Sequence, residues 1–297
     1  MWFYVNGTFV SENEAKLSVQ DLGLVRGYGV FDFLRTYGGR PFHIKEHLQR
    51  LKFSAEHIGL ILPNSLEEIA TIVDTLLKKN QLSDAAIKII ATGGISPDQF
   101  SFDQKPSLIV SVYPLIPFPE SSYTSGINVV TTALSRSFPM SKTTHYAPAI
   151  VALQQGRRQN AQEAIYINAK QELLEATTSN FFAFKNGTLY TCASDEILVG
   201  ITSAVVLQLA KEHFPIQKQA ISLTDLPFLE EAFVTASNKE ILPVTAINGN
   251  PIGQGIIGDK TKLLQKLFQD YTRQSLWPDL KIPRYTQTTS RIDFWLA

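Results

Sequence analysis

Cysteine is almost missing from this chain: Cys192 stands alone among 297 residues. One thiol can neither close an internal disulfide nor build a cysteine-based metal site, and its isolation fits a reducing, cytoplasmic compartment. Neither sign of charge is in excess, since 27 basic residues balance 27 acidic ones. That argues against the broad basic surface needed for non-specific nucleic-acid binding. No run approaches the roughly 18 apolar residues of a membrane helix. The opening Met1-Trp2-Phe3-Tyr4-Val5-Asn6-Gly7 lacks the basic-then-apolar order of a secretion signal. The five histidines, at 43, 47, 57, 145 and 213, do not cluster with acids as metal ligands do, so no metal is expected. A Gly-x-Ser-x-Gly elbow is absent as well, and hydrolase chemistry falls away with it. A soluble cytoplasmic protein with neither membrane nor nucleic-acid partner is expected.

What is present is an ordinary globular balance, 44% apolar and 18% charged, in a chain long enough for two cores. Residues 2–10 read as a hairpin about Asn6-Gly7. The run 30–36 alternates, placing Phe31, Phe33 and Arg35 on one face of a strand and Val30, Asp32 and Leu34 on the other. Helical spacing follows over 44–60, and again over 65–79, where Ser65 and Glu68 form a capping box. Strand patterns occupy 87–92 and 108–112. Prolines 114, 117 and 119 then crowd a stretch in which neither helix nor sheet should continue. This gives an N-terminal domain over 1–113, a linker over 114–122 and a C-terminal domain over 123–297. The second domain is expected to hold strands at 127–133, 163–168, 181–185, 189–191 and 233–236. Its helices are expected near 148–160, after Gly200, and at 260–271.

Several positions carry two readings each. Thr202 and Ser203 follow Gly200 at a helix start, and serve either as an N-cap or as part of an anion site. Ser237-Asn238 is either a simple polar turn or a phosphate donor. Arg50, on the 44–60 helix, is either a solvated surface residue or a bidentate anion ligand. Gly253-Gln254-Gly255-Ile256-Ile257-Gly258 matches a dinucleotide fingerprint by letter. It lacks the preceding strand and the chain needed for a βαβ unit, so a loop before a helix is the better reading.

In order, these positions resemble one family, the class IV (fold type IV) pyridoxal-phosphate aminotransferases. That group includes branched-chain and D-amino-acid aminotransferases and aminodeoxychorismate lyases. The likeness rests on His47-Leu48-Gln49-Arg50-Leu51, on Lys142 ahead of the second-domain helix, and on Glu175 through Ser179-Asn180-Phe181. Ile197-Leu198-Val199-Gly200-Ile201-Thr202 and the run ending Ala236-Ser237-Asn238 extend it. The resemblance implies an α+β fold of two domains. The smaller, N-terminal one would be an α/β sandwich and the larger a β-pseudobarrel with flanking helices, with the cofactor at the domain interface.

It implies pyridoxal 5'-phosphate held by Lys142 as a Schiff base, with Lys142 also the catalytic base. Glu175 would meet the pyridine nitrogen and Leu198 would pack on the ring. Arg50, Ile201, Thr202 and Ser237 would bind phosphate, and Tyr146 would lie near the phenolic oxygen. The substrate would meet Phe31, Phe33, Arg35, Lys88 and the turn at Asn238. Phe31 and Phe33 make that wall apolar, which suits branched or aromatic side chains. Arg35 on the same face either meets a side-chain carboxylate or supports the sheet. The expected reaction is branched-chain-type transamination of an amino acid with a 2-oxo acid in a homodimer. Aminodeoxychorismate lyase and D-amino-acid aminotransferase are the alternatives.

Overall fold

Asn6 and Gly7 take positive φ angles of 47° and 94°, the backbone twist that joins two strands through a two-residue turn. They connect β1 (Trp2–Val5) to β2 (Thr8–Ser11). The computed structural model describes residues 1–101, 105–274 and 276–286, so 287–297 of the predicted second domain lies outside the described residues. The chain divides into two units. The first holds Met1–Leu115, Ser141–His145 and the described tail residues from Pro278 on; the second holds Ile116–Met140 and Tyr146–Trp277.

In the first unit, a short α1 (Leu22–Val25) precedes β3 (Gly29–Tyr37) and β4 (Arg40–Pro41). Then come α2 (Ile44–His57), α3 (Leu66–Asn80), β5 (Ala85–Thr92) and β6 (Ser107–Pro114). The strands lie in the order β2-β1-β6-β5-β3-β4. The β3 alternation holds: Val30, Asp32 and Leu34 are fully buried, while Phe31, Phe33 and Arg35 are half-buried. The buried face packs with Leu48, Leu51 and Ala55 of α2 and with Ile69, Val73 and Leu76 of α3. The capping box forms: Glu68 N–H donates to Ser65 Oγ, and Ser65 N–H to Glu68 Oε2. The tail joins this unit through Leu280 N–H, which donates to buried Glu46 Oε1 on α2 at 2.7 Å. Tyr285 packs its ring on Phe53, and α8 (Pro283–Thr286) follows the same helix.

The second unit begins differently from the expected irregular linker. After the prolines, α4 (Glu120–Ser125) forms with Pro119 as its N-cap residue. Proline is tolerated there because the first helical N–H groups have no partner anyway. The remaining strands are β7 (Ile127–Thr132), β8 (Glu163–Ile167), β9 (Glu172–Ala176), β10 (Ser179–Lys185) and β11 (Thr188–Thr191). They continue with β12 (Ile216–Gln217), β13 (Ile221–Ser222), β14 (Glu231–Ala236), β15 (Glu240–Ile247) and β16 (Asn250–Pro251). Six of them run β10-β14-β15-β7-β8-β9, and β9 pairs back on β10 through Ala176↔Ser179 and Glu175↔Asn180. That last pairing closes the sheet into a barrel filled by Val129, Ile165, Leu173, Phe181, Val234 and Leu242.

Alternation puts Phe182 and Phe184 on the opposite face of β10. There Phe182 stacks on Phe233 at 4.9 Å. Two helices, α6 (Ile201–Ala210) and α7 (Asp259–Thr272), lie against β14, and α5 (Ala147–Arg157) covers β7 and β8. Among the described residues, no helix is long and apolar enough to cross a membrane.

The glycine-rich decoy is structural. A two-residue strand, β16, precedes it, but β16 is an antiparallel hairpin partner of β15 and not part of a βαβ unit. Gly253 takes φ +54°, and a Cβ there would lie 2.2 Å from the Glu230 carbonyl oxygen. The helix that follows is capped from the barrel: Glu231 Oε2 accepts from Thr261 N–H and Thr261 Oγ1, both at 2.7 Å. A carboxylate at a helix N-terminus also meets the positive end of its dipole. Gly253→Ala should therefore destabilise the protein by more than the roughly 1–2 kcal/mol of a left-handed φ alone. Urea denaturation would show it as a lowered midpoint, and an unchanged midpoint would refute this account.

Candidate active site

In the first unit the sequence candidates gather about β3. Asp32 is fully buried, and two side chains from α2 meet it. Arg50 donates from Nε to Oδ2 and from Nη2 to Oδ1, both at 2.8 Å, and His47 Nδ1 lies 2.6 Å from Oδ1. His47 and Arg50 are three apart, so one helix face presents both. Arg50 is not the solvated surface residue of the simpler reading, being only 4% exposed. Burial works to raise the Asp32 pKa, but the Arg50 charge and the hydrogen bonds from Arg50 and His47 win and hold it well below the usual carboxylate range. Burial likewise lowers the pKa of His47, with Asp32 opposing it. A neutral His47 thus donates its Nδ1–H to Asp32.

Lys142 joins this unit through its backbone. Phe31 N–H donates to Lys142 O at 2.8 Å, Thr144 N–H donates to Gly29 O, and Lys142 N–H donates to Ser54 Oγ on α2. The segment 141–145 therefore lies along the first residues of β3, with an isolated bridge at Val30↔Thr143. The Lys142 ammonium sits 4.6 Å from the centre of the Phe31 ring, and that of Lys88 lies 5.3 Å from the same ring. Lys88 is opposite Phe33 in the β3–β5 register, and Ile90 is opposite Phe31. Phe31, Phe33, Lys88 and Lys142 are thus brought together. Arg35 lies over the Tyr37 ring at 4.3 Å, which favours its sheet-supporting reading.

In the second unit Glu175 lies on β9, buried at the barrel's closing pair. Its Oε1 accepts from Arg136 Nη1 at 2.5 Å. Its Oε2 accepts from Leu198 N–H at 3.1 Å and from Asn180 Nδ2 at 3.4 Å. Asn180 also donates to Leu198 O at 2.7 Å, so the Leu198 backbone is fixed against the same hairpin.

Two residues on, α6 begins with Gly200 as N-cap and no side-chain cap. Thr202 and Ser203 are consequently not N-caps; both lie buried inside the first turn. A Cβ at Gly200 would meet Asn180 Oδ1 at 2.1 Å, so only glycine fits. Ser237 and Asn238 form the turn after β14, closed by Lys239 N–H to Ala236 O. Tyr146 is the N-cap residue of α5.

Arg136, Asp32 and His47 join the site without having been among the sequence candidates for it. Asp32 left a signal, since an acid alternating with Val30 and Leu34 on a buried face requires a cation. Arg136 left none, because its link to Glu175 spans 39 positions and depends on how the barrel closes.

The residues present suit a phosphorylated pyridine cofactor. An uncapped helix N-terminus offers N–H donors beside the buried Thr202 hydroxyl. Thr235 Oγ1, on the neighbouring strand, is buried with no hydrogen-bond partner. A carboxylate with its own hydrogen bonds stands ready for a ring N–H.

The model of amino-transferase class IV matches residues 29–247, and the chain belongs to that family. A putative branched-chain-amino-acid aminotransferase of Methanocaldococcus jannaschii is 34% identical over 278 residues, covering 91% of this chain and 96% of its own. A D-alanine aminotransferase of Staphylococcus epidermidis is 32% identical over 273 residues, covering 90% and 96%. The crystal structure of the Escherichia coli branched-chain amino acid aminotransferase superposes with a TM-score of 0.88 at 25% identity, covering 95% of this chain and 98% of that one.

The Asp32 cluster makes a pH prediction. A folded pKa below the unfolded value, about 3.9, stabilises fully above that pH, and the benefit is lost as pH falls through the folded value. Asp32→Asn should cost about 3–5 kcal/mol at pH 7, because the Arg50 charge stays buried without its carboxylate. Urea midpoints of the variant should also fall less than wild type on acidification below about pH 4. A variant as stable as wild type at pH 7 would contradict the assignment.

Proposed function

We propose that this chain moves the amino group of a branched-chain amino acid to a 2-oxo acid, 2-oxoglutarate or pyruvate, using pyridoxal 5'-phosphate. The observation that carries the reading is Glu175, an acid built into the barrel's closing pair and held by Arg136, Asn180 and the Leu198 N–H. When bound, the cofactor supplies an electron sink for the electron pair left at the substrate Cα.

The residues do the rest. Glu175 would hold a proton on the pyridine nitrogen, and Leu198 would pack on the ring. Ile201 and Thr202, at the start of α6, and Ser237, in the turn after β14, offer donors to the phosphate. Arg50, oriented by Asp32, adds guanidinium donors, and Tyr146 meets the phenolic oxygen. Lys142 would hold the cofactor through its aldehyde carbon, and its amine would serve as the base that moves the proton at the substrate Cα.

Phe31 and Phe33 give the substrate an apolar wall, and Lys88 and the Asn238 turn offer charge and N–H groups to its carboxylate. Near-equal likeness to the D-alanine aminotransferase supports a second reading, in which the same site takes D-amino acids.

The one cysteine, Cys192, is a buried free thiol, which suits a cytoplasmic enzyme. Val19, Leu24, Ile95 and Phe100 are exposed apolar residues of the first unit. Asp21 bridges to Ile95, and Arg26 lies over Phe100, so this patch is shared by two chain segments. Such a patch suits the self-complementary face of a homodimer. Sedimentation should give twice the 33.1 kDa chain mass, and a monomer at micromolar concentration would count against it.

Adding pyridoxal 5'-phosphate to wild type should give a visible absorption band that L-leucine or L-valine removes. Lys142→Ala should not develop the band. Bleaching by D-alanine alone would select the second reading, and turnover of aminodeoxychorismate would select the lyase. A Lys142→Ala protein that keeps both band and activity would refute the role of Lys142.

A further inference from the structure

Lys239 is a buried lysine whose ammonium is fully engaged. Its Nζ donates to Glu163 Oε2 at 2.5 Å, to Thr178 Oγ1 at 2.6 Å and to Ser179 Oγ at 3.0 Å. An ammonium has three protons, so none is left for a ligand. Glu163, buried on β8, gathers the other side of the network. Its Oε1 accepts from Thr177 Oγ1 and Ala164 N–H, and its Oε2 from Thr178 Oγ1 at 2.7 Å and Ser179 Oγ at 3.3 Å. Burial works to raise the Glu163 pKa, but Lys239 and the hydroxyls hold it down.

These contacts have a definite location in the barrel. Thr177 and Thr178 are the two-residue turn between β9 and β10, and Glu175 and Asn180 face each other at the base of that turn. Lys239 closes the turn that contains Ser237 and Asn238, and Tyr123 Oη donates to Lys239 O at 3.0 Å. One buried ion pair thus ties the hairpin carrying Glu175 to the turn carrying Ser237. Its charges touch neither Glu175 nor Ser237.

We propose that Glu163 and Lys239 form a positioning clasp that sets the Glu175 hairpin and the Ser237–Asn238 turn at the separation the cofactor's ring nitrogen and phosphate require. The clasp rests on the cofactor reading above. Removing either charge alone leaves its partner buried, and such a variant can simply fail to fold. The deciding variant is therefore the double substitution Glu163→Gln with Lys239→Met, which removes both charges at similar volume.

The probe is 4-deoxypyridoxine 5'-phosphate, which carries ring and phosphate but no aldehyde, so its binding does not depend on a bond to Lys142. Titrating it calorimetrically into the full chain freed of cofactor should show wild type binding and the double variant binding about tenfold more weakly, as loss of outer-sphere partners typically does. The variant's Tm should stay within a few degrees of wild type. A folded double variant with wild-type affinity would overturn the clasp. So would a double variant that does not fold, because the pair would then serve the barrel alone. Wild type that fails to bind the probe would instead refute the cofactor reading beneath it.

Discussion

A buried carboxylate costs several kcal/mol unless hydrogen bonds, with or without a cation, replace its water, and three such carboxylates among the described residues tie distant segments together through a cation. Asp32 is answered by Arg50 and His47, Glu175 by Arg136 and Asn180, and Glu163 by Lys239 and three hydroxyls. Each pair joins segments distant in sequence, so the charges work as registers that hold β3 on α2 and the barrel strands on one another. Elements that the hydrophobic effect would leave free to slide are fixed by charges that cannot be left alone.

The barrel closes where its buried polar groups are concentrated. The β9–β10 pairing completes the ring and places Glu175 against Asn180. Asn180 then reaches the Leu198 carbonyl, and Gly200 leaves room for its side-chain oxygen. Glu175, the Leu198 backbone and the start of α6 are thereby positioned by a single asparagine. In the first unit, β3 plays the corresponding part. One face sends Asp32 inward to α2, and the other shows Phe31 to the Lys142 ammonium.

Much of this was legible in the chain. The alternation from Val30 to Thr36, the Ser65–Glu68 box and the Asn6-Gly7 turn depend on neighbours within a few residues, and each took the expected form. The family was legible because several motifs fall in one order, although each alone admits a plainer reading. Thr202 and Ser203 were less legible: Gly200 is the N-cap residue, since Asn180 from a distant strand occupies the space at that terminus. The proline stretch broke regular structure at Pro114 yet admitted a short helix once Pro119 had passed.

Local pattern by itself therefore marked many of the strands, helices and turns, though not β9, β15 or α4, and the chemical types at hand: one lysine ahead of α5, one glutamate before a hydroxyl-rich turn, one arginine on α2. Only the tertiary structure decided which charges meet. Nothing near Arg136 in sequence points to Glu175, and nothing near Lys239 points to Glu163. The segment 141–145 groups with the first unit although the chain on both sides of it belongs to the second. The reason is physical. Periodicity and capping act over a turn or two of chain, whereas ion pairing inside a protein is settled by strand register and barrel closure, which bring together residues tens of positions apart.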